Sequence, residues 1–430
     1  MSPELVRPAI LAPTTQSKGD EAAQQICIFI AMAAALILQS AAIAFSGAYF
    51  GLIVPFVIAF VLAWAASQSQ RYFIGYATIP IVICCVILCW CIIAPLPNAE
   101  IEGLPVTDRL NYYLLYYTPG LFSYTDYEVG FLTLIALCRS FVDFPTFLVL
   151  CVTITLLGFL RVLSALKREA YFPILLCCGL GYFAFWSGVL NITRQFLAGG
   201  LVLIGISLLL AQPRSLGRAH LICALIGVVA MSIHSSAAIV FLFQFLTLVR
   251  RRDRLLATIW IFNLTLFAAN FLGLDPLRPF TSRISLFQRY DIEEASAADL
   301  INIMNTGVGS GNRPDWALFL LLPMLLYYGF RILRSRSKVP QDDLSTFALF
   351  YTTLTIPFYA MSYLVYADRL AYYAYLTIPL FLLIIAASPA MKQFRAMIVA
   401  ALAAVAISQF VFGWYGYTPL FWSGGLIGRF

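Results

Sequence analysis

Residues 22–70 carry no charged side chain at all; Glu21 and Arg71 bound the run. A hydrocarbon layer about 30 Å thick is crossed by roughly 20 helical residues rising about 1.5 Å each, so the run has room for two membrane spans. Inside a bilayer the backbone finds no water, and a helix satisfies its polar groups internally. The pattern recurs along the chain. Apolar stretches at 26–46, 49–67, 72–94, 145–163, 170–189, 195–211, 219–249, 255–273, 315–331, 344–365, 370–388 and 393–412 predict helical spans. Only 11% of the 430 residues are charged and 62% are hydrophobic, against about 25% charged in soluble domains. A soluble, disordered or secreted disulfide-rich fold is thereby excluded. The expected class is all-α: a polytopic integral membrane protein of about 11–14 transmembrane helices, some broken or re-entrant.

One stretch is too long for a single span. Residues 219–249 lie between Arg218 and Arg250-Arg251-Arg252. A broken, re-entrant or doubled helix is expected there, interrupted at His234-Ser235-Ser236. If that segment enters and returns, the cations sort into two faces. Eighteen fall in the N-terminal tail and in alternate short connections, with 7 acids, a net of +11. Nine fall on the other face with 13 acids, a net of −4. Short cationic connections stay cytoplasmic, so the first face is read as cytoplasmic and the second as external. The whole-chain charge of +7 then reports orientation and not an acidic partner. The expected organisation is a cytoplasmic tail at 1–25, one membrane domain at 26–412 with external loops at 95–144 and 274–314, and an external tail at 413–430. The N-terminal stretch lacks a basic n-region and a small-residue cleavage site, so the first span is expected to be an uncleaved anchor. The 10 cysteines lie in or beside apolar runs, which suits packing better than disulfides or metal.

All 4 lysines are on the cytoplasmic face and every external cation is arginine. Arginine presents a planar fork that grips phosphate bidentately and stays charged when partly desolvated. Arg194, in Asn191-Ile192-Thr193-Arg194-Gln195, opens a helix whose N-terminal N–H groups and dipole favour anions. A cation there opposes the dipole unless an anion joins it. His234 marks the break in 219–249, as a site residue or a packing one. Arg283 and Arg289, with Tyr290 following, suit a site or a headgroup-facing surface equally. Asp368-Arg369 sits in a short connection with Tyr372 and Tyr373 one turn on, which fits a site or an ion pair beside an aromatic belt. Tyr112, Tyr113, Tyr116 and Tyr117 read better as belt residues than as sugar-stacking ones.

These residues also carry a family pattern. Arg194-Gln195-Phe196-Leu197-Ala198, then Ile233-His234-Ser235-Ser236-Ala237, resembles the R-Q-x-x-A and H-x-S-A motifs of the EpsG family, which are Wzy-type bacterial polysaccharide polymerases. Asp126-Tyr127-Glu128-Val129-Gly130-Phe131 is similar to that family's acidic stretch. Asp368-Arg369-Leu370-Ala371-Tyr372-Tyr373 and Tyr415-Gly416-Tyr417 resemble its later segments. The likeness spans roughly residues 105–420 in order; Val129 stands where the family often has Pro.

The resemblance implies a membrane-embedded glycosyltransferase, akin to the GT-C class, that polymerises O-antigen or exopolysaccharide. It would join oligosaccharide repeat units carried on undecaprenyl diphosphate at the periplasmic face of the inner membrane. On that reading Arg194, Arg289 and Arg369, with Arg283 as a weaker candidate, stabilise the lipid diphosphate as it leaves. The acceptor hydroxyl needs a base, with His234, Asp126, Glu128 and Asp368 as candidates; His234 is read as a contact to the diphosphate or the hydroxyl, and the base stays open. Gln195, Asn191, Ser236, Arg283, Tyr290, Asp368, Tyr372 and Tyr373 are candidate substrate contacts. No acidic cluster suggests a metal, so a reaction without metal or cofactor is expected. Besides the lipid-linked oligosaccharide and membrane lipid, a chain-length-regulating co-polymerase is a candidate partner; nucleic acid is not. Two rivals stand beside this reading. A flippase for lipid-linked oligosaccharides would want polar groups deep in its spans. An O-antigen ligase would want a larger late external loop than 274–314.

Overall fold

The computed structural model describes residues 108–118, 127–172, 174–176, 184–185, 188, 192–211, 217–249, 252–272, 274, 276–281, 314–334, 342–361, 367–388, 391 and 394–404. Helices α1 (Asp108–Tyr117), α2 (Val129–Cys138), α3 (Phe144–Ala165), α4 (Thr193–Ala211), α5 (Arg218–Ile233), α6 (Ile239–Thr247), α7 (Arg252–Phe271), α8 (Pro314–Arg334), α9 (Asp342–Ala360) and α10 (Tyr372–Ala386) account for most of them. No strand occurs among the described residues. The expected spans at 26–46, 49–67 and 72–94 lie outside the described residues.

Local chemistry sets the helix ends. Asp143 caps α3 by accepting from the Thr146 N–H at 3.0 Å, and Pro145 in the first turn needs no N–H partner. Past its C-terminus Lys167 takes a left-handed φ of 56°. There the Arg168 N–H closes on Leu163 O at 2.8 Å, which stops the helix.

Packing shows how the helices run. Thr155 Oγ1 donates toward Cys151 O and Phe196 O, each at 3.1 Å. A Cβ at Gly200 would sit 2.6 Å from Thr155 Cα, and one at Gly158 would sit 2.6 Å from Gly200 O. α3 and α4 are therefore parallel and touch backbone to backbone, the small-residue contact that packs helices without a hydrophobic driving force. α10 joins them in the same direction. Gly199 faces Tyr373 and Leu376, and at the far end Arg168 Nη1 donates to Ala387 O at 2.5 Å. All residues of α10 are buried, so it lies inside the packed helices among the described residues.

α5 and α6 form an antiparallel hairpin. His220 Nε2 lies 3.3 Å from Thr247 Oγ1, and Gly227 packs on Val240 and Phe241. The chain enters and returns in 219–249 as expected, reversing at His234. α7, α8 and α9 pack against one another beside them. Asn263 Nδ2 donates to Thr352 O at 3.3 Å and Thr355 Oγ1 at 2.8 Å. Tyr351 and Tyr359 donate to Leu320 O and Ala317 O, and Arg331 grips Asp253 at 2.9 and 3.3 Å.

Among the described helices α3 and α4 are long and apolar enough to cross a membrane, and α2, α5, α8 and α10 carry shorter apolar stretches. Leu221, Leu225, Val228 and Val229 of α5, and Leu318, Leu322, Leu325 and Leu326 of α8, are exposed. Each set repeats at helical spacing and so forms an outward apolar stripe, a surface suited to lipid and costly in water. The directions of the helices separate two ends. One gathers the starts of α2, α3, α4 and α10 and the hairpin tip. The other gathers Arg161, Lys167, Arg168, Arg218, Arg254 and Arg331.

Candidate active site

At the end where α4 and α10 begin, polar residues far apart in sequence meet. Glu128 is the N-cap of α2, in extended conformation. Gly130 lets α2 reach the hairpin, because a Cβ there would fall 2.1 Å from Ser232 Oγ. The Glu128 carboxylate thus lies between α4 and the tip. Its Oε2 accepts from Arg194 Nη1 at 2.5 Å, and its Oε1 accepts from the Ser235 N–H at 3.0 Å. The side chains are 18% exposed for Arg194 and 24% for Glu128, so the pair is shielded without being sealed.

Arg194 also meets three rings. Nε donates to Tyr112 Oη at 3.2 Å. The guanidinium carbon lies 4.7 Å from the centre of the Tyr127 ring and 5.7 Å from those of Tyr112 and Phe131. Such cation–ring contacts contribute about 0.5–2 kcal/mol, more as water is excluded. The result is a fork fixed in direction at a helix N-terminus, where an anion is also favoured. Burial alone would raise the Glu128 carboxyl. The Arg194 charge and the Ser235 N–H outweigh it and hold the group below its ordinary value.

A second network joins the hairpin tip to α10. Gln195 is buried; its Nε2 donates to the Arg369 backbone oxygen and, at 3.3 Å, to Ser236 Oγ. His234 ends α5, and its Nδ1 accepts from the Ser236 N–H at 3.3 Å, capping the 3-10 turn Ser235–Ala238. Ser236 Oγ lies 2.7 Å from that Nδ1 and 3.0 Å from Tyr373 Oη. Arg194, Arg369 and Glu128 all lie close enough to His234 to act on its charge.

Of the residues singled out in the sequence, Glu128, Arg194, Gln195, His234, Ser236, Arg369 and Tyr373 come together. Tyr372 does not join them: it is buried beneath Gly188 and donates to Ala184 O at 2.9 Å. Asp126, Asn191, Arg283, Arg289 and Tyr290 lie outside the described residues, as does the side chain of Asp368. The belt reading of the tyrosines is corrected for two of them. Tyr112 and Tyr116 are 2% and 3% exposed; Tyr112 serves Arg194, and Tyr116 donates to Val142 O at 2.7 Å. Tyr127, Phe131 and the Ser235 N–H were not foreseen at the site. The adjacency of Tyr127 and Phe131 to Glu128, with arginine's habit of stacking on rings, was the available signal. Among the described residues no three His, Cys, Asp or Glu side chains gather to hold a metal.

Compared with known proteins, residues 81–422 match the family model described as EpsG family. No curated protein and no solved structure matches the chain.

Proposed function

The chain belongs to the EpsG family, a family of Wzy-like polymerases, and from that premise we propose that it is a polysaccharide polymerase acting on undecaprenyl-diphosphate-linked repeat units at the periplasmic face of the bacterial inner membrane. The observation that carries this reading is the Arg194 fork. It is aimed by Glu128 and by three rings, and it stands at a helix N-terminus with Arg369 close enough to bias the same histidine.

The reaction needs such a group. An acceptor hydroxyl attacks the anomeric carbon of the donor. The new C–O bond forms as the bond from that carbon to the lipid diphosphate breaks, and the electron pair leaves on a phosphate oxygen. A diphosphate is stable as an anion, so the departing oxygen calls for positive charge and not for a proton. Arg194 and Arg369 supply it, with Arg289 and Arg283 as further candidates.

Glu128 is better suited to aim Arg194 than to take the hydroxyl proton. A carboxylate held below its ordinary pKa by a guanidinium is ionised but weakly basic. That leaves His234, Asp126 and Asp368 as candidates for the proton. Asn191, Gln195, Ser236, Tyr290, Tyr372 and Tyr373 are the neighbouring candidate contacts, and Tyr372 is the weakest because its hydroxyl is engaged elsewhere. The expected protein partner is a chain-length-regulating co-polymerase.

The test is the fate of lipid-linked sugars in cells carrying Arg194→Ala or Arg369→Ala. Polymer should fall about 100-fold or more, while single repeat units accumulate on the periplasmic side. Repeat units retained on the cytoplasmic side would favour a flippase and defeat this proposal.

A further inference from the structure

The hydrogen atoms around His234 can be counted. The Ser236 backbone N–H can only donate, and it points at His234 Nδ1 from 3.3 Å. Nδ1 must therefore be bare. The Ser236 hydroxyl, 2.7 Å from Nδ1, completes the pattern by donating its single hydrogen there. Its oxygen then accepts from the Gln195 amide at 3.3 Å, and the hydroxyl hydrogen of Tyr373, whose oxygen lies 3.0 Å away, must turn toward it. The opposite tautomer would set an Nδ1–H against the amide hydrogen. An imidazolium would do the same.

The ring's hydrogen must then sit on Nε2. Among the described residues Nε2 has no hydrogen-bond partner, and it is not one of the fully occluded polar atoms. We infer that His234 works as a neutral hydrogen-bond donor, offering Nε2–H to a phosphate oxygen of the lipid diphosphate, and that Ser236, Gln195 and Tyr373 are positioning residues that fix this tautomer. This rests on the polymerase reading and narrows it: Nδ1, the only lone pair on the ring, is already occupied, so the histidine is not the general base.

The chain has only 2 histidines, so the tautomer can be read directly. Nitrogen NMR of histidine-labelled His220→Gln protein in detergent leaves the His234 ring alone. The expected spectrum shows protonated Nε2 and bare Nδ1, unchanged from pH 8 to pH 5.5. A protonated Nδ1, or an imidazolium at pH 7, overturns the inference whatever the protein's activity. Should His220→Gln not fold, the difference between wild type and His234→Gln gives the same signals.

Polymer formation is the second readout. His234→Gln, whose amide nitrogen falls near the position of Nε2, should retain at least ten-fold more activity than His234→Asn. Ser236→Ala should drop more than ten-fold and gain an acid limb. If His234→Asn exceeds His234→Gln while Arg194→Ala still accumulates translocated units, the polymerase reading stands and the donor role falls.

Discussion

Replacing Glu128 by Gln separates an aiming carboxylate from a catalytic base. The substitution keeps the shape and keeps an oxygen for the Ser235 N–H, so the charge opposite Arg194 is what is lost. At 2.5 Å between Nη1 and Oε2 the charge centres are roughly 4 Å apart, a gross attraction of about 4 kcal/mol at an effective dielectric near 20. Desolvation and side-chain ordering offset part of this, and a net of about 2 kcal/mol remains for a shielded, charge-assisted pair. If all of it is expressed in the reaction, polymer formation falls about 30-fold. The pH dependence then decides the role. The native Glu128 carboxyl is depressed, so its stabilisation is fully present above the unfolded value of about 4.3 and is lost as pH falls through the native value. Thermal unfolding of detergent-solubilised wild type and Glu128→Gln should differ by a constant amount from pH 8 to about pH 5, and converge in more acid solution. The remaining activity of Glu128→Gln should keep the wild-type pH profile. A loss of 1,000-fold or more together with disappearance of an acid limb would make Glu128 the base and refute this assignment.

The packing gives further outcomes. Gly200→Ala sets a Cβ 2.6 Å from Thr155 Cα and should destabilise by about 2–3 kcal/mol or more, whereas Gly329→Ala meets nothing within 4 Å and should be neutral or stabilising by up to about 1 kcal/mol; thermal unfolding of the two variants checks the order. Asn263→Ala removes two bonds that tie α7 to α9 and should cost about 1–3 kcal/mol, read the same way. Arg194→Lys retains the charge but loses the fork and the ring stacking, and polymer formation should fall well below wild type; activity equal to wild type would remove the bidentate reasoning.

Much of the fold was legible because charges interrupt apolar runs so sharply. The stretches read at 145–163, 195–211, 255–273, 315–331 and 370–388 lie close to α3, α4, α7, α8 and α10. A break in 219–249 was legible from its length and its polar interruption, but broken, re-entrant and doubled helices fit equally; the antiparallel pairing is a property of the fold. What stayed hidden depends on partners distant in the chain. Nothing in the sequence ties Glu128 to Arg194, 66 positions away. Their meeting follows from Gly130 against Ser232, a close approach visible only in three dimensions. The tyrosines of α1 resembled an interfacial belt because aromatic residues at a membrane boundary and aromatic residues boxing an arginine look alike in one dimension. Gln195, Ser236 and Tyr373 are candidate contacts in the sequence, but their bonds to one another are a property of packing.

The central claim is that the Arg194 cluster handles the diphosphate of a lipid-linked oligosaccharide during polymerisation. The direct measurement is the reaction in vesicles holding purified protein and the repeat unit extracted on its lipid carrier from the producing cell. Wild type should yield a ladder of polymer with stoichiometric release of undecaprenyl diphosphate, and Arg194→Ala should release about 100-fold less. Equal release by both proteins, or movement of repeat units across the bilayer with no polymer formed, would contradict the account.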